Sequence, residues 1–129
     1  MPKGDVLAVG VDLCSISRME RAIANPRFFA RVFTEEERLH ISERKGKAKA
    51  ERAAAYFAAK EATAKALGTG FSEGVMPEQI GVVYEVKGKP IVCLSGAADE
   101  KMRALGGRTI LLSLSHEGEL AAAFVILVR

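Results

Sequence analysis

Two acidic residues of this chain stand where acids are costly. Asp12 closes the apolar run DVLAVGVDL (residues 5–13), and Glu61 interrupts the alanine-rich stretch YFAAKEATAKALGTG (residues 56–70). A carboxylate at the end of a buried strand costs free energy unless it is paired, hydrogen-bonded or bound to a cation. Asp12 can meet that demand locally, by accepting backbone N–H groups from the turn at Ser15 to Ser17. Glu61 likewise has a plain role as an i,i+4 partner of Lys65 on a helix surface, worth about 0.3 kcal/mol. Taken together, the two carboxylates suit a hard, oxygen-seeking ion, because no histidine–cysteine cluster accompanies them. Mg²⁺ takes one or two carboxylates and fills its other positions with water and substrate phosphate. Lys65 would then contact a phosphate, and Ser115 and His116 add polar donors. Neither a G-x-x-x-x-G-K-[ST] loop nor a G-x-G-x-x-G turn is present, so a nucleotide is not held in either of those ways.

The elements that must position these residues can be read from local rules. Residues 5–13 form a buried strand. SRME offers a capping box, with Ser17 at N-cap and Glu20 three residues on, and this helix should end at Ala24 before Asn25-Pro26. TEEE offers a second box, Thr34 with Glu37, and SERKGKAK reads as a loop around Gly46. A long helix is predicted over residues 49–67, closed by Gly68 in the left-handed conformation. On it Phe57, Glu61, Ala64 and Lys65 share one side, with Phe57 and Ala64 towards the core. Lys60 is placed either towards substrate or towards solvent. GVVYEV and PIVCL flank KGK as a hairpin, and SGAADEKMRALGG reads as a short helix from Ser95 to Gly106-Gly107. TILLSLSH and LAAAFVILV flank EGE as a second hairpin, whose first strand has an apolar face (Ile110, Leu112, Leu114). Its other face carries two hydroxyls that lead to His116. Helices come mostly first and hairpins last, so the fold class is α+β, an antiparallel sheet with a long central helix, in one domain over residues 1–129.

Composition narrows the function classes. At 129 residues, 49% hydrophobic and 27% charged, the chain supports a core and is not disordered. The run Val6–Leu13 is far shorter than a membrane span and contains Asp12, and no secretory signal is visible. Cys14 and Cys93 show no metal spacing and read as free thiols of a reducing cytoplasm. Aromatics at 6% and no tryptophan argue against a stacking surface for single-stranded nucleic acid. Residues 43–65 hold seven basic and three acidic side chains, a larger surplus than the net +3 of the whole chain. Such a segment is either a solvated helix face or an attractor for an anionic partner.

VGVDLCSISRME, FTEEE, YFAAKEATAKALGTG, GKP and SLSHEGELAAAFVI resemble, in order and over nearly the whole chain, the motifs of the holo-[acyl-carrier-protein] synthase family, the stand-alone 4′-phosphopantetheinyl transferases. The resemblance implies that family's fold and an enzyme that moves phosphopantetheine from coenzyme A to a serine of apo acyl carrier protein, releasing adenosine 3′,5′-bisphosphate. It implies that Asp12 and Glu61 hold Mg²⁺ against the pyrophosphate and that Lys65 steadies the leaving charge. Glu61, directly or through a metal-bound water, is then the natural candidate to accept the serine proton. It also implies that Ser115 and His116 contact the nucleotide end of coenzyme A, with Pro90 of the GKP turn bordering the adenine. Arg18 matches a family arginine that receives the acidic carrier protein, and Arg21 assists. A cytoplasmic homotrimer with active sites between subunits, without nucleic acid or membrane partners, completes what it implies. The alternative class is a non-catalytic module that binds coenzyme A or acyl carrier protein. Such a module has no need of both Asp12 and Glu61. The chain departs from the family pattern at Tyr56, where many relatives carry arginine, and Arg52 lies one turn earlier.

Overall fold

The computed structural model describes residues 4–129. Strand β1 (Val6–Ser15) leads into α1 (Ile16–Ile23), α2 (Pro26–Val32), α3 (Glu35–Ser42) and the long α4 (Gly46–Leu67). A single 3₁₀ turn (Pro77–Gln79) precedes β2 (Ile80–Tyr84) and β3 (Pro90–Leu94). Then come α5 (Gly96–Ala104), β4 (Thr109–Glu117) and β5 (Leu120–Val128). The architecture is α+β and antiparallel, as the patterning predicts, but the two hairpins do not share one sheet. β1, β5 and β4 form a three-stranded sheet with β5 in the middle, and β2–β3 stands as a separate pair. β1 is drawn against β5 with Asp12 opposite Ala123.

Helix α4 lies across the inner face of the larger sheet. Gly10 makes this possible: a Cβ there would meet the Ala62 carbonyl oxygen at 2.1 Å, so strand and helix backbones touch. The core runs from this contact through Ala58, Ala59, Ala62, Val125 and Leu127 to Phe33, Ile41, Ile80 and Met102. Small residues on α4 allow the close approach, and the β5 side chains that alternate inward fill the far side.

Several local readings shift. The N-cap of α1 is Ser15, not Ser17. The Ser15 hydroxyl accepts from the Arg18 N–H, so the helix begins one residue after the strand ends. Asn25-Pro26 ends α1 and also starts α2, because Asn25 caps the Arg27 and Phe28 N–H groups and Pro26 needs no donor at the first helical position. The Thr34–Glu37 box is present as predicted. α4 begins at Gly46 rather than Lys49, so part of the polar segment is helical. Gly68 closes it in the left-handed conformation, φ 88°. Ser95 sits at the N-cap of α5 without a side-chain capping bond.

Candidate active site

Three of the chemistry-bearing residues converge. Asp12 projects from β1 on the same face as Gly10 and Cys14, towards α4. Lys65 reaches across and donates to Asp12 Oδ1 at 2.6 Å and to the Val11 carbonyl at 3.4 Å. The ion pair Lys65 makes is thus with Asp12, not the i,i+4 pair with Glu61 that helix spacing offers. Nor does Asp12 cap the turn after β1, since Ser15 takes the Arg18 N–H. The Asp12 side chain is 10% exposed and that of Lys65 54%, so the acid is enclosed and the ammonium is open to a ligand.

Glu61 closes the group. Its carboxyl is held above the usual carboxylate range by burial first, then by the Asp12 charge and a hydrogen bond with Asp12, with Lys65 opposing. The hydrogen bond to Asp12, helped by the Asp12 and Glu61 charges and opposed by desolvation, leaves the Lys65 pKa raised. Cys14 beside them is pushed up to about 11 by burial and by the Glu61 and Asp12 charges, so it stays a thiol. Two carboxylates drawn together against one lysine favour a cation between them. Among the described residues no group of three or more His, Cys, Asp or Glu could hold a metal. A pair of carboxylates, one of them bordering a cleft, nevertheless fits Mg²⁺, which leaves its other positions to water and phosphate oxygens.

Glu61 also borders a cleft of about 330 Å³. Arg18 stands at its rim with Ser15, and Met19, Phe28 and Phe57 form an apolar floor. Arg18 and Arg21 are both exposed on α1, three residues apart and on neighbouring turns. The cleft therefore offers a positive edge, an apolar seat and an acid at its end.

Ser115 and His116 lie elsewhere. They line a second pocket of about 270 Å³ with Arg44, Glu51, Arg52, Ala55 and Tyr84. His116 Nδ1 lies 3.5 Å from Glu51 Oε2. Glu51 and Glu61 are ten residues apart on one helix, about 15 Å along its axis. Pro90 pairs with Tyr84 in the β2–β3 register, which puts the GKP turn beside this second pocket. Arg52 is partly committed, donating to the His40 carbonyl at 2.6 Å and to Glu43 at 3.4 Å. Tyr56 is buried beneath His40, to which it is hydrogen-bonded. The places of Arg44 and Tyr84 here escape sequence reading because only the fold brings the α3–α4 connection, α4, β2 and β4 together. Lys60 faces neither substrate nor solvent. It is fully buried and paired with Glu37 at 2.7 Å.

Residues 8–125 match the family described as the 4′-phosphopantetheinyl transferase superfamily. A holo-[acyl-carrier-protein] synthase of Halorhodospira halophila is 46% identical over 125 residues, covering 95% of this chain and 98% of that one. The structure of a Neisseria meningitidis holo-[acyl-carrier-protein] synthase superposes with a TM-score of 0.85 at 31% identity, over 96% of this chain and 99% of that one. A Bacillus anthracis holo-(acyl-carrier-protein) synthase in complex with CoA (3′,5′-ADP) superposes at 0.82 and 34% identity, over 97% and 98%.

Proposed function

The chain belongs to the 4′-phosphopantetheinyl transferase superfamily, and we propose on that premise how its own residues carry out the transfer. It is an enzyme that moves 4′-phosphopantetheine from coenzyme A to a serine of apo acyl carrier protein, giving the holo form and adenosine 3′,5′-bisphosphate. The observation that carries the assignment of roles is the meeting of Asp12, Glu61 and Lys65 from two elements at the end of a cleft edged by Arg18.

The reaction joins the serine oxygen to the phosphorus that bears the pantetheine. The bond from that phosphorus to the bridging oxygen breaks, and its electrons stay on the adenosine bisphosphate. Asp12 and Glu61 would hold Mg²⁺, and the ion would supply neutralisation of the pyrophosphate charge. Lys65, with its ammonium half exposed, meets the charge that grows on the leaving phosphate. Glu61, at the end of the cleft, takes the serine proton. Arg18 and Arg21 attract the acidic carrier protein, and the apolar floor at Met19, Phe28 and Phe57 seats the segment that presents the serine.

The nucleotide end of coenzyme A belongs in the pocket of Ser115 and His116, with Pro90 at its border. That pocket and the carboxylate group lie apart on one chain, which suits a site shared between subunits. The outer face of the larger sheet offers the contact: Val9, Val11 and Leu13 are 58–60% exposed and stand beside Phe124 and Leu111. A homotrimer would cover it. Residues 1–129 act as one domain, in the cytoplasm, where coenzyme A and carrier protein are found. No helix of the described residues is long and apolar enough to cross a membrane.

The test is the intact mass of an apo acyl carrier protein incubated with this chain and coenzyme A. A gain of one phosphopantetheinyl group with Mg²⁺, and none with a chelator, is expected. A gain that survives chelation removes the metal role of Asp12 and Glu61. Absence of any gain returns the chain to the class of binding modules.

A further inference from the structure

We propose that the buried Lys60–Glu37 ion pair is a positioning device for Glu61, fixing how far α4 is rotated about its own axis. The inference rests on the role given to Glu61 above.

Ten of the 22 residues of α4 are alanine, so most of its surface is smooth and offers little resistance to rotation. Only Tyr56, Lys60 and Leu67 are large and fully buried on it. Lys60 is the one charged side chain of the helix that is buried. Its ammonium has three donors, and three acceptors surround it: Glu37 Oε1 at 2.7 Å, the Ile80 carbonyl at 2.8 Å and the Pro77 carbonyl at 3.0 Å. The Phe33 ring covers it at 5.7 Å. Glu37 is held as firmly, since it accepts from the Thr34 N–H at 2.8 Å and the Val82 N–H at 2.7 Å. The pair therefore ties α4 to α3, to β2 and to the 3₁₀ turn before it.

Burying two charges is a poor route to stability, because desolvation offsets their attraction, and an apolar pair of similar volume does as well or better. What the pair supplies is direction: every partner of Lys60 lies on the β2 side. Burial draws the Lys60 pKa down, and Glu37 opposes this. The next residue on the helix, turned by about 100°, is Glu61. With Lys60 anchored towards β2, Glu61 projects to Asp12 on β1. A displacement of about 1 Å at a reacting group costs about a hundred-fold in rate, so an unpinned alanine helix would be a poor mount for the catalytic acid.

The test uses Lys60→Met in the full chain, with Ile41→Val, a core change that leaves the pair intact, as the stability control. Melting temperature, kcat, KM for coenzyme A, and Mn²⁺ affinity from the signal of the free ion are measured for each. Lys60→Met is expected to lower kcat about ten-fold or more and to weaken Mn²⁺ binding, while KM for coenzyme A stays within about two-fold. Ile41→Val is expected to lower only the melting temperature. If Lys60→Met loses melting temperature but keeps kcat and Mn²⁺ affinity, the pair is only structural and the proposal is overturned. Should the single variant fail to fold, Lys60→Met/Glu37→Gln, which buries no charge, takes its place with the same expectations. If the double variant also fails to fold, the pair is a structural staple and the proposal falls. An inactive unsubstituted chain would defeat the transferase reading alone, because the Mn²⁺ titration still reports whether Lys60 holds Glu61 in place.

Discussion

Gly10 and Ala62 bring β1 and α4 into backbone contact: a Cβ on Gly10 would lie 2.1 Å from the Ala62 carbonyl oxygen and 3.2 Å from the Ala66 Cβ. This contact sets the distance between Asp12, two residues further along the strand, and Glu61 and Lys65 on the helix. Gly10→Ala must push the two apart, and backbone cannot yield as a flexible side chain can. Overpacking of this kind costs about 1–3 kcal/mol. The loss of turnover should exceed what that destabilisation explains, because the Lys65–Asp12 contact at 2.6 Å is opened as well. Thermal unfolding and steady-state kinetics on the same preparation would separate the two effects. Full kcat at a lowered melting temperature would show that the spacing is not critical.

Asp12→Ala and Glu61→Gln should each leave the fold intact and reduce turnover at least ~10²-fold, the scale on which loss of a charge-stabilising group acts. Both variants should also lose the rise in melting temperature that Mg²⁺ gives the unsubstituted chain, since a ligand stabilises only the state that binds it. Glu61→Gln removes an acid that burial and Asp12 already disfavour as an anion. In the absence of metal at neutral pH it should therefore unfold at a higher temperature than the unsubstituted chain, not a lower one. Scanning calorimetry with and without Mg²⁺ reads all three outcomes.

The parts of the molecule that could be read in the sequence are those governed by neighbours in the chain. The two hairpins and the Thr34–Glu37 capping box follow from turn and cap chemistry within a few residues. Asp12 and Glu61 were legible because an acid in an apolar run calls for a partner. The start of α4 was not, since Lys45 makes no side-chain cap and Gly46 enters the helix with φ 59°. α2 was hidden because Asn25-Pro26 is a stop for one helix and an equally good start for the next. Lys60 and His116 show the deeper limit. Their partners Glu37 and Glu51 are 23 and 65 residues away, and only the packing of α3, α4 and β4 reveals which charge each one meets.

Arg18→Glu should act on the carrier protein and leave coenzyme A alone. Arg18 is exposed at the rim of the cleft that ends at Glu61, so reversing its charge alters the encounter with an acidic partner more than the chemistry. KM for carrier protein should rise about ten-fold or more, with KM for coenzyme A unchanged, and Arg21→Glu should show a smaller effect in the same direction. A ten-fold loss confined to kcat would place Arg18 in the chemistry instead.

His40 predicts an acid limb in the stability curve. Burial first, then the Arg52 charge, lower its pKa below the ordinary 6.5. The ring is hydrogen-bonded to the Tyr56 hydroxyl, which burial keeps protonated. A base with a depressed folded pKa contributes stability that is present above the unfolded pKa and is lost as pH falls through the folded one. The loss should therefore begin below pH about 6.5 and saturate beneath the lowered value. Glu43, 3.9 Å from Nε2, moderates it. His40→Gln should flatten this part of the curve. Denaturant unfolding at a series of pH values would show it, and an unchanged acid limb would move its origin elsewhere.

The proposed homotrimer makes the sharpest prediction. Phe124 of β5 lies opposite Val11 of β1 on the outer face of the sheet, and both are large, apolar and exposed. Phe124→Glu should give a monomer by light scattering, with turnover lost although the carboxylate group within each chain is untouched. Monomerisation alone would not prove that sites are shared, so complementation must decide. On the proposed roles, Glu61→Gln should inactivate the carboxylate half and His116→Ala should weaken the coenzyme half. When equal amounts are unfolded and refolded together, about a quarter of the interfaces in a closed ring combine two intact halves. Activity should then rise well above the mean of the two parents. If Asp12, Glu61 and His116 of a single chain formed one site, no interface could restore it, and the mixture would only average its components. The 15 Å that the helix rise sets between Glu51, the partner of His116, and Glu61 favours recovery.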